Sequence, residues 1–235
     1  VEHGLLDRVM FFLPPRYGKS ELVSVRFPAW YLGRHPENRI IGCSYNDALA
    51  LDFGGRARDV AMSPIHKAVF SDDRARVKAD TSAKQQWDLK GEGGYIGAGV
   101  GGAITGRGGN ILLIDDPIKN QEEAESLTYR ERVWKWYQST AYTRLEKGGA
   151  VIVILTRWHK DDLAGRSVKC ACGQKLTVPS PATPAGKSCP ICNVLTPADH
   201  VIGASMSTPG RTWNQVGVKL TARPKKLSSG RSICW

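Results

Sequence analysis

The sequence predicts an α/β fold, a mostly parallel sheet flanked by helices, followed by a small cysteine-bearing appendage and an irregular tail. Three observations carry that prediction. Continuous apolar runs of four to six residues stand at 9–13, 111–114 and 150–155, and such runs suit strands buried on both faces of a sheet. Helical patterns fill the stretches between them, the alternation expected of βαβ units. Beyond about residue 167 the texture changes to Pro, Ser, Thr, Gly and Lys, with Trp213 and Trp235 the aromatic residues that remain. A segment so poor in apolar bulk cannot build a sizeable core.

Length and composition set the frame for these elements. With 235 residues, 41% of them hydrophobic, and seven tryptophans, the chain is long enough for one good α/β core and a small appendage. The expected division is a main domain at 1–166, a cysteine-bearing unit at 167–196 and an irregular or disordered basic tail at 197–235. No apolar run approaches the roughly 18 residues of a membrane span, and no signal peptide opens the sequence. A core strand starts almost at Val1, so the natural N-terminus is expected to lie upstream. The net charge of +11 is uneven: residues 167–235 hold nine Lys/Arg against Asp199 alone, or +8, leaving 24 basic and 21 acidic groups, or +3, for residues 1–166. A basic tail of this kind favours polyanions, nucleic acid above all, or is simply a solvated segment.

The first strand, 9–13, runs into Pro14, Pro15, Arg16, Tyr17, Gly18, Lys19 and Ser20, and a helix opens at Glu21. A loop that enters a helix N-terminus points free backbone N–H groups and a positive dipole end at an anion. Gly18 permits close approach of backbone to phosphate, Lys19 reaches the β- and γ-phosphates, and the Ser20 hydroxyl can ligate Mg²⁺. These features predict the phosphate-binding loop of a P-loop NTPase of ASCE type, with residues 15–21 as the expected ATP-binding set. It departs from the usual pattern at Leu13, which stands where a glycine is common.

The second strand, 111–114, ends in Asp115, Asp116 and Pro117, 95 positions after Ser20. A carboxylate at a strand's C-terminal end beside a phosphate loop is where Mg²⁺ takes its anchor, and Asp115 suits that role. Asp116 stands where a carboxylate polarises the attacking water. The third strand, 150–155, ends in Thr156, a polar tip able to sense the γ-phosphate, or equally a hydroxyl that caps the next turn. The helix expected at about 126–147 carries Leu127, Trp134, Tyr137, Ala141 and Leu145 on one stripe, a core-packing pattern.

Taken together, residues 14–21, 105–108, 114–120 and 156–166, with 44–50 between them, resemble the large terminase subunit of tailed phages. The likeness covers about 5–166. It implies an ATP-driven motor that moves double-stranded DNA through a portal ring into a capsid in the host cytoplasm, working as a ring of like subunits with the portal protein and the small terminase subunit. Carried over, Lys19 and Ser20 bind phosphate and Mg²⁺, Asp115 holds the metal, and Thr156 couples hydrolysis to movement. The catalytic carboxylate is Asp116, with Glu122 or Glu123 as alternatives. The family also implies a basic residue at the γ-phosphate, for which Arg16 and Arg107 are candidates; Arg107 lies in a stretch, 97–109, with seven glycines. An upstream segment that helps hold adenine belongs to the same implication.

The tail departs from that family. A nuclease of the kind that follows in large terminases clamps two metals with several carboxylates, and with only Asp199 beyond residue 166 no nuclease activity is expected from this chain. Instead Cys170 and Cys172 precede Cys189 and Cys192 by sixteen intervening residues. Two close cysteine pairs around a short loop are a zinc-ribbon ligand set, and structural Zn²⁺ is expected there. Two other functions stay open: a helicase-like P-loop ATPase, and a catalytically inactive ATPase fragment acting as a zinc-ribbon adaptor for nucleic acid or protein.

Overall fold

The computed structural model describes residues 1, 7–13, 15–102, 104, 106 and 108–167, and the backbone of short strands between 201 and 221. Seven strands form the body of one sheet: β1 (Arg8–Phe12), β2 (Arg39–Ser44), β3 (Val77–Ser82), β4 (Gln86–Leu89), β5 (Gly94–Gly99), β6 (Gly109–Asp115) and β7 (Leu145–Leu155). Their order is β3-β4-β5-β2-β6-β7-β1. The five strands from β5 to β1 are mutually parallel, and β3 and β4 extend that edge antiparallel.

The tail expected to be irregular contributes β8 (Val201–Ala204), β9 (Ser207–Thr208), β10 (Arg211–Thr212) and β11 (Val216–Thr221). The last of these runs antiparallel beside β1, with β8 beyond it.

Helices cover both faces, because alternate residues of the buried strands point both ways. On one face a helix whose wide first turns, Glu21–Arg26, continue into α1 (Phe27–Arg34) packs beside α2 (Asp47–Met62). There Val23, Ala29, Leu32 and Ala57 meet Ile40, Ile111, Leu113, Ile152 and Ile154. The short α3 (Pro64–Val69) follows α2. On the other face α4 (Gln121–Glu125), α5 (Leu127–Trp136) and α6 (Leu163–Ser167) cover Ile41, Cys43, Leu112, Ile114, Val151 and Val153.

The expected long helix needs correction. The helix expected at 126–147 is shorter: α5 loosens through wide turns at Tyr137–Ala141, tightens at Tyr142–Arg144, and gives way to β7, which already begins at Leu145. Leu127, placed on the core stripe, is 59% exposed, whereas Ala141 is buried and Trp134, Tyr137 and Leu145 pack partly buried against the core, joined there by the buried Val133 and Trp136. The first three residues of the glycine-rich stretch complete β5. Gly99 must be glycine there because a Cβ would lie 2.5 Å from the Asp47 backbone nitrogen, where α2 crosses the strand end.

Candidate nucleotide site

The parallel registers bring the strand ends into line. Phe12 stands opposite Leu155, Asp115 opposite Ile154, Ser44 opposite Asp115, and Gly99 opposite Ser44. The C-terminal ends of β1, β7, β6, β2 and β5 therefore share one edge, the place where open α/β sheets take their ligands.

The loop leaving β1 turns sharply. Arg16 and Gly18 have φ of 68° and 75°, in the left-handed region, which glycine enters without the penalty a Cβ brings. The chain then enters its helix, and the Leu22 N–H donates to the Gly18 carbonyl at 2.9 Å. Pro15, Arg16, Tyr17 and Gly18 are exposed, while Lys19 is buried at 8%. The Glu21 carboxylate pairs with Arg26 and with Arg56 of α2, which ties the helix to its neighbour.

Lys19 reaches inward to the next two strand ends. Its ammonium donates to Asp116 Oδ2 and, at 3.0 Å, to Thr156 Oγ1. The Thr156 backbone N–H donates to the other Asp116 oxygen at 2.8 Å, and the Asp116 N–H donates to the Ile154 carbonyl at 2.8 Å. Asp116 holds this position with φ of 42°, a conformation that aspartate tolerates better than most residues. Lys19, Asp116 and Thr156, scattered along the sequence, thus form one closed triangle.

Asp115 sits just inside that triangle, 1% exposed. Its Oδ2 accepts from Ser24 Oγ at 2.6 Å, and its Oδ1 is buried with no hydrogen-bond partner among the described residues. Burial raises the Asp115 pKa; the hydroxyls of Ser24 and Ser20 oppose that, Asp116 adds to it, and the Lys19 charge opposes it. A buried carboxylate with one free oxygen, beside a serine hydroxyl, fits the way Mg²⁺ is held in phosphate sites, by one or two protein oxygens together with phosphate and water. Among the described residues no group of three or more His, Cys, Asp or Glu is placed to hold a metal ion.

The segment after Thr156 anchors outward. Arg157 Nε donates to Asp162 Oδ2 at 2.5 Å, and its guanidinium lies 5.3 Å from the Phe12 ring centroid at the end of β1. Asp162 Oδ1 accepts from the Gly165 N–H at 2.9 Å and so caps α6. Arg166 pairs with Asp161 and, at 2.8 Å, with Glu131 of α5. The alternatives to Asp116 lie elsewhere: Glu122 is exposed, and Glu123 Oε2 accepts from the Lys119 N–H at 3.1 Å while its own N–H donates to Asn120. These two bonds close the start of α4, with Asn120 as its N-cap.

A family profile, that of the terminase large subunit, T4likevirus-type, N-terminal, matches residues 10–191. The chain belongs to that family. The terminase match runs past residue 166, where the texture changes, and takes in Cys170, Cys172 and Cys189. Among solved structures, the HK97 bacteriophage large terminase aligns at 16% identity with a TM-score of 0.45, over 68% of this chain and 31% of that one. This terminase chain therefore spans about a third of the length of that relative. No curated protein matches it.

The structure brings together Lys19, Ser20, Asp115, Asp116 and Thr156. Arg107 and the four cysteines 170, 172, 189 and 192 lie outside the described residues. Sequence reading passed over two side chains at this terminase site. Ser24 repeats Ser20 one turn later on a helix face otherwise bearing Val23 and Val25, and a hydroxyl on a buried face is the signal that could have found it. Arg157 carried no local signal, because its partners Phe12 and Asp162 are set by tertiary packing. Among the described residues no helix is long and apolar enough to cross a membrane.

Proposed function

We propose that this chain is the ATP-hydrolysing motor domain of a phage DNA-packaging terminase. It translocates double-stranded DNA in the host cytoplasm as part of a ring of like subunits, with the portal protein and small terminase subunit as partners. The observation that carries this reading is the triangle of Lys19, Asp116 and Thr156 at the aligned strand ends, with buried Asp115 behind it. The position of β7 between β1 and β6 supports the same reading. It sets the Thr156 tip between the phosphate loop and the metal carboxylate, the strand arrangement of ASCE ATPases.

In this reading the loop 15–21 cradles the phosphates with its backbone N–H groups at the helix N-terminus. Lys19 exchanges the Asp116 carboxylate for phosphate oxygens, which frees Asp116 to accept a proton from the attacking water. Ser20 and Asp115 would hold Mg²⁺, which supplies neutralisation of the charge on the phosphoryl oxygens. Thr156 keeps its backbone bond to Asp116 and passes any movement there through Arg157 to Asp162 and α6. An arginine, Arg16 or Arg107, meets the γ-phosphate. Structural Zn²⁺ on Cys170, Cys172, Cys189 and Cys192 is part of the proposal, and metal analysis of the purified chain tests it: one zinc per chain is expected.

The deciding experiment is ATP hydrolysis by the chain with and without double-stranded DNA. Turnover that DNA stimulates and that Lys19→Ala abolishes is the expected result. Turnover that survives Lys19→Ala, or none at all in the native chain, overturns the proposal.

A further inference from the structure

Ser24, on the helix that follows the phosphate loop, is a fully buried polar group. It is 0% exposed, and its hydroxyl has a partner 91 residues away, Asp115 Oδ2 at 2.6 Å. Residues four apart lie on one face of a helix, so Ser20 and Ser24 both look toward Asp115, Ser20 from the first turn and Ser24 from the next. The helix is wide through this stretch, with π-type turns from Glu21 to Arg26, and such widened turns recur at functional sites.

A carboxylate with one oxygen bonded to a rigid donor cannot rotate freely about its last torsion. Ser24 thereby fixes which oxygen of Asp115 is spent on the protein and which is left over. The oxygen left over, Oδ1, is buried and has no hydrogen-bond partner among the described residues. On the adjoining strand, at the paired position, Ser44 Oγ is also buried without one. Buried polar atoms are ordinarily satisfied, and an orphan marks a place built for water, an ion or a ligand. The two residues are register partners on the edge where Lys19 enters.

We propose that Ser24 is a positioning residue: it locks the Asp115 carboxylate so that Oδ1 is presented to the magnesium ion that accompanies the nucleotide. This rests on the Mg²⁺–nucleotide reading of the site given above. A purely packing role for Ser24 predicts something different, a change in stability with no change in the part that Mg²⁺ plays in binding.

The test measures binding of a fluorescent ADP by the full chain at saturating Mg²⁺ and again in EDTA, with melting temperature followed alongside. In the native chain Mg²⁺ is expected to tighten ADP binding. In Ser24→Ala the gain from Mg²⁺ falls at least fivefold, while affinity in EDTA stays within twofold. Ser24→Cys, which fills nearly the same space with a weak donor, serves if the alanine variant does not fold, and the same loss is expected. Either variant melting lower but keeping the full Mg²⁺ gain overturns the positioning role and leaves the nucleotide reading intact. A native chain that binds ADP no better with Mg²⁺ than without it overturns that reading, and the role of Ser24 with it.

Discussion

The Lys19 ammonium and the Asp116 carboxylate, 97 positions apart in sequence, form a direct ion pair across the mouth of the phosphate loop. The lysine side chain is 7% exposed and the aspartate 27%, so the pair is shielded more than a surface bridge, for which little stabilisation is expected. The same ammonium is the group that a phosphate needs. On the proposed reading, nucleotide and Asp116 compete for Lys19.

That competition gives Asp116→Asn two opposite effects. With the rival charge removed, ADP is expected to bind several-fold more tightly, read by fluorescence titration. ATP turnover is expected to fall by about 100-fold, the scale of a lost general base. Tighter binding with unchanged turnover would assign the catalytic carboxylate elsewhere.

Thr156 contributes through two separate groups, its backbone N–H to Asp116 and its hydroxyl to Lys19. Thr156→Val removes only the hydroxyl at nearly constant volume. ADP affinity is expected to stay within about threefold, one neutral hydrogen bond being worth about 1 kcal/mol or less. The stimulation of ATP hydrolysis by DNA is expected to disappear, and Thr156→Ser to restore it.

On the proposed reading, Asp115 sets stability against function. Its pKa in the folded chain is raised from 3.8, chiefly by burial. The native state therefore binds this proton more tightly than the unfolded state does, and stability falls as pH rises through the folded value. Above that value the cost of the buried charge is fully present; below 3.8 it is absent. Asp115→Asn is expected to melt a few degrees higher than the native chain at neutral pH, without nucleotide, and the gap to shrink as pH is lowered toward the ordinary carboxylate range. Thermal melts across that range check it.

Cys43 lies near the C-terminal end of β2, 2% exposed, and burial pushes its thiol up to about 12. Alkylation needs the thiolate and a path to it. Peptide mapping after iodoacetamide treatment is expected to show Cys43 unmodified in the folded chain and modified once urea is added.

Gly99 offers a test of packing at the site's edge. Its N–H donates to Asp47 Oδ1 at 2.6 Å, and a Cβ would meet backbone atoms of Asn46 and Asp47 at 2.5–3.0 Å. Backbone cannot swing aside as a side chain can, so Gly99→Ala is expected to cost about 1–3 kcal/mol, measured by the urea midpoint.

Read without its structure, the sequence determined the elements whose cause is local. The apolar runs at the centres of β1, β6 and β7, the Gly18-Lys19-Ser20 turn into a helix, and the Asp115-Asp116 strand end each arise from neighbours in the chain, and the structure keeps all of them. Periodicity and turn chemistry act over a few residues, which is why they can be read directly. The tertiary structure decided what depends on distant partners. It made Gly97 and Gly99 part of a buried strand, because α2 must approach that strand closely. It cut the long helix short at Arg144, because the β7 register with β6 begins at Leu145. It joined Lys19 to Asp116 and Ser24 to Asp115, pairings separated by 97 and 91 residues. Parallel strands are joined by long crossovers, so the groups that meet at their ends are remote in sequence, and no local pattern records that they meet.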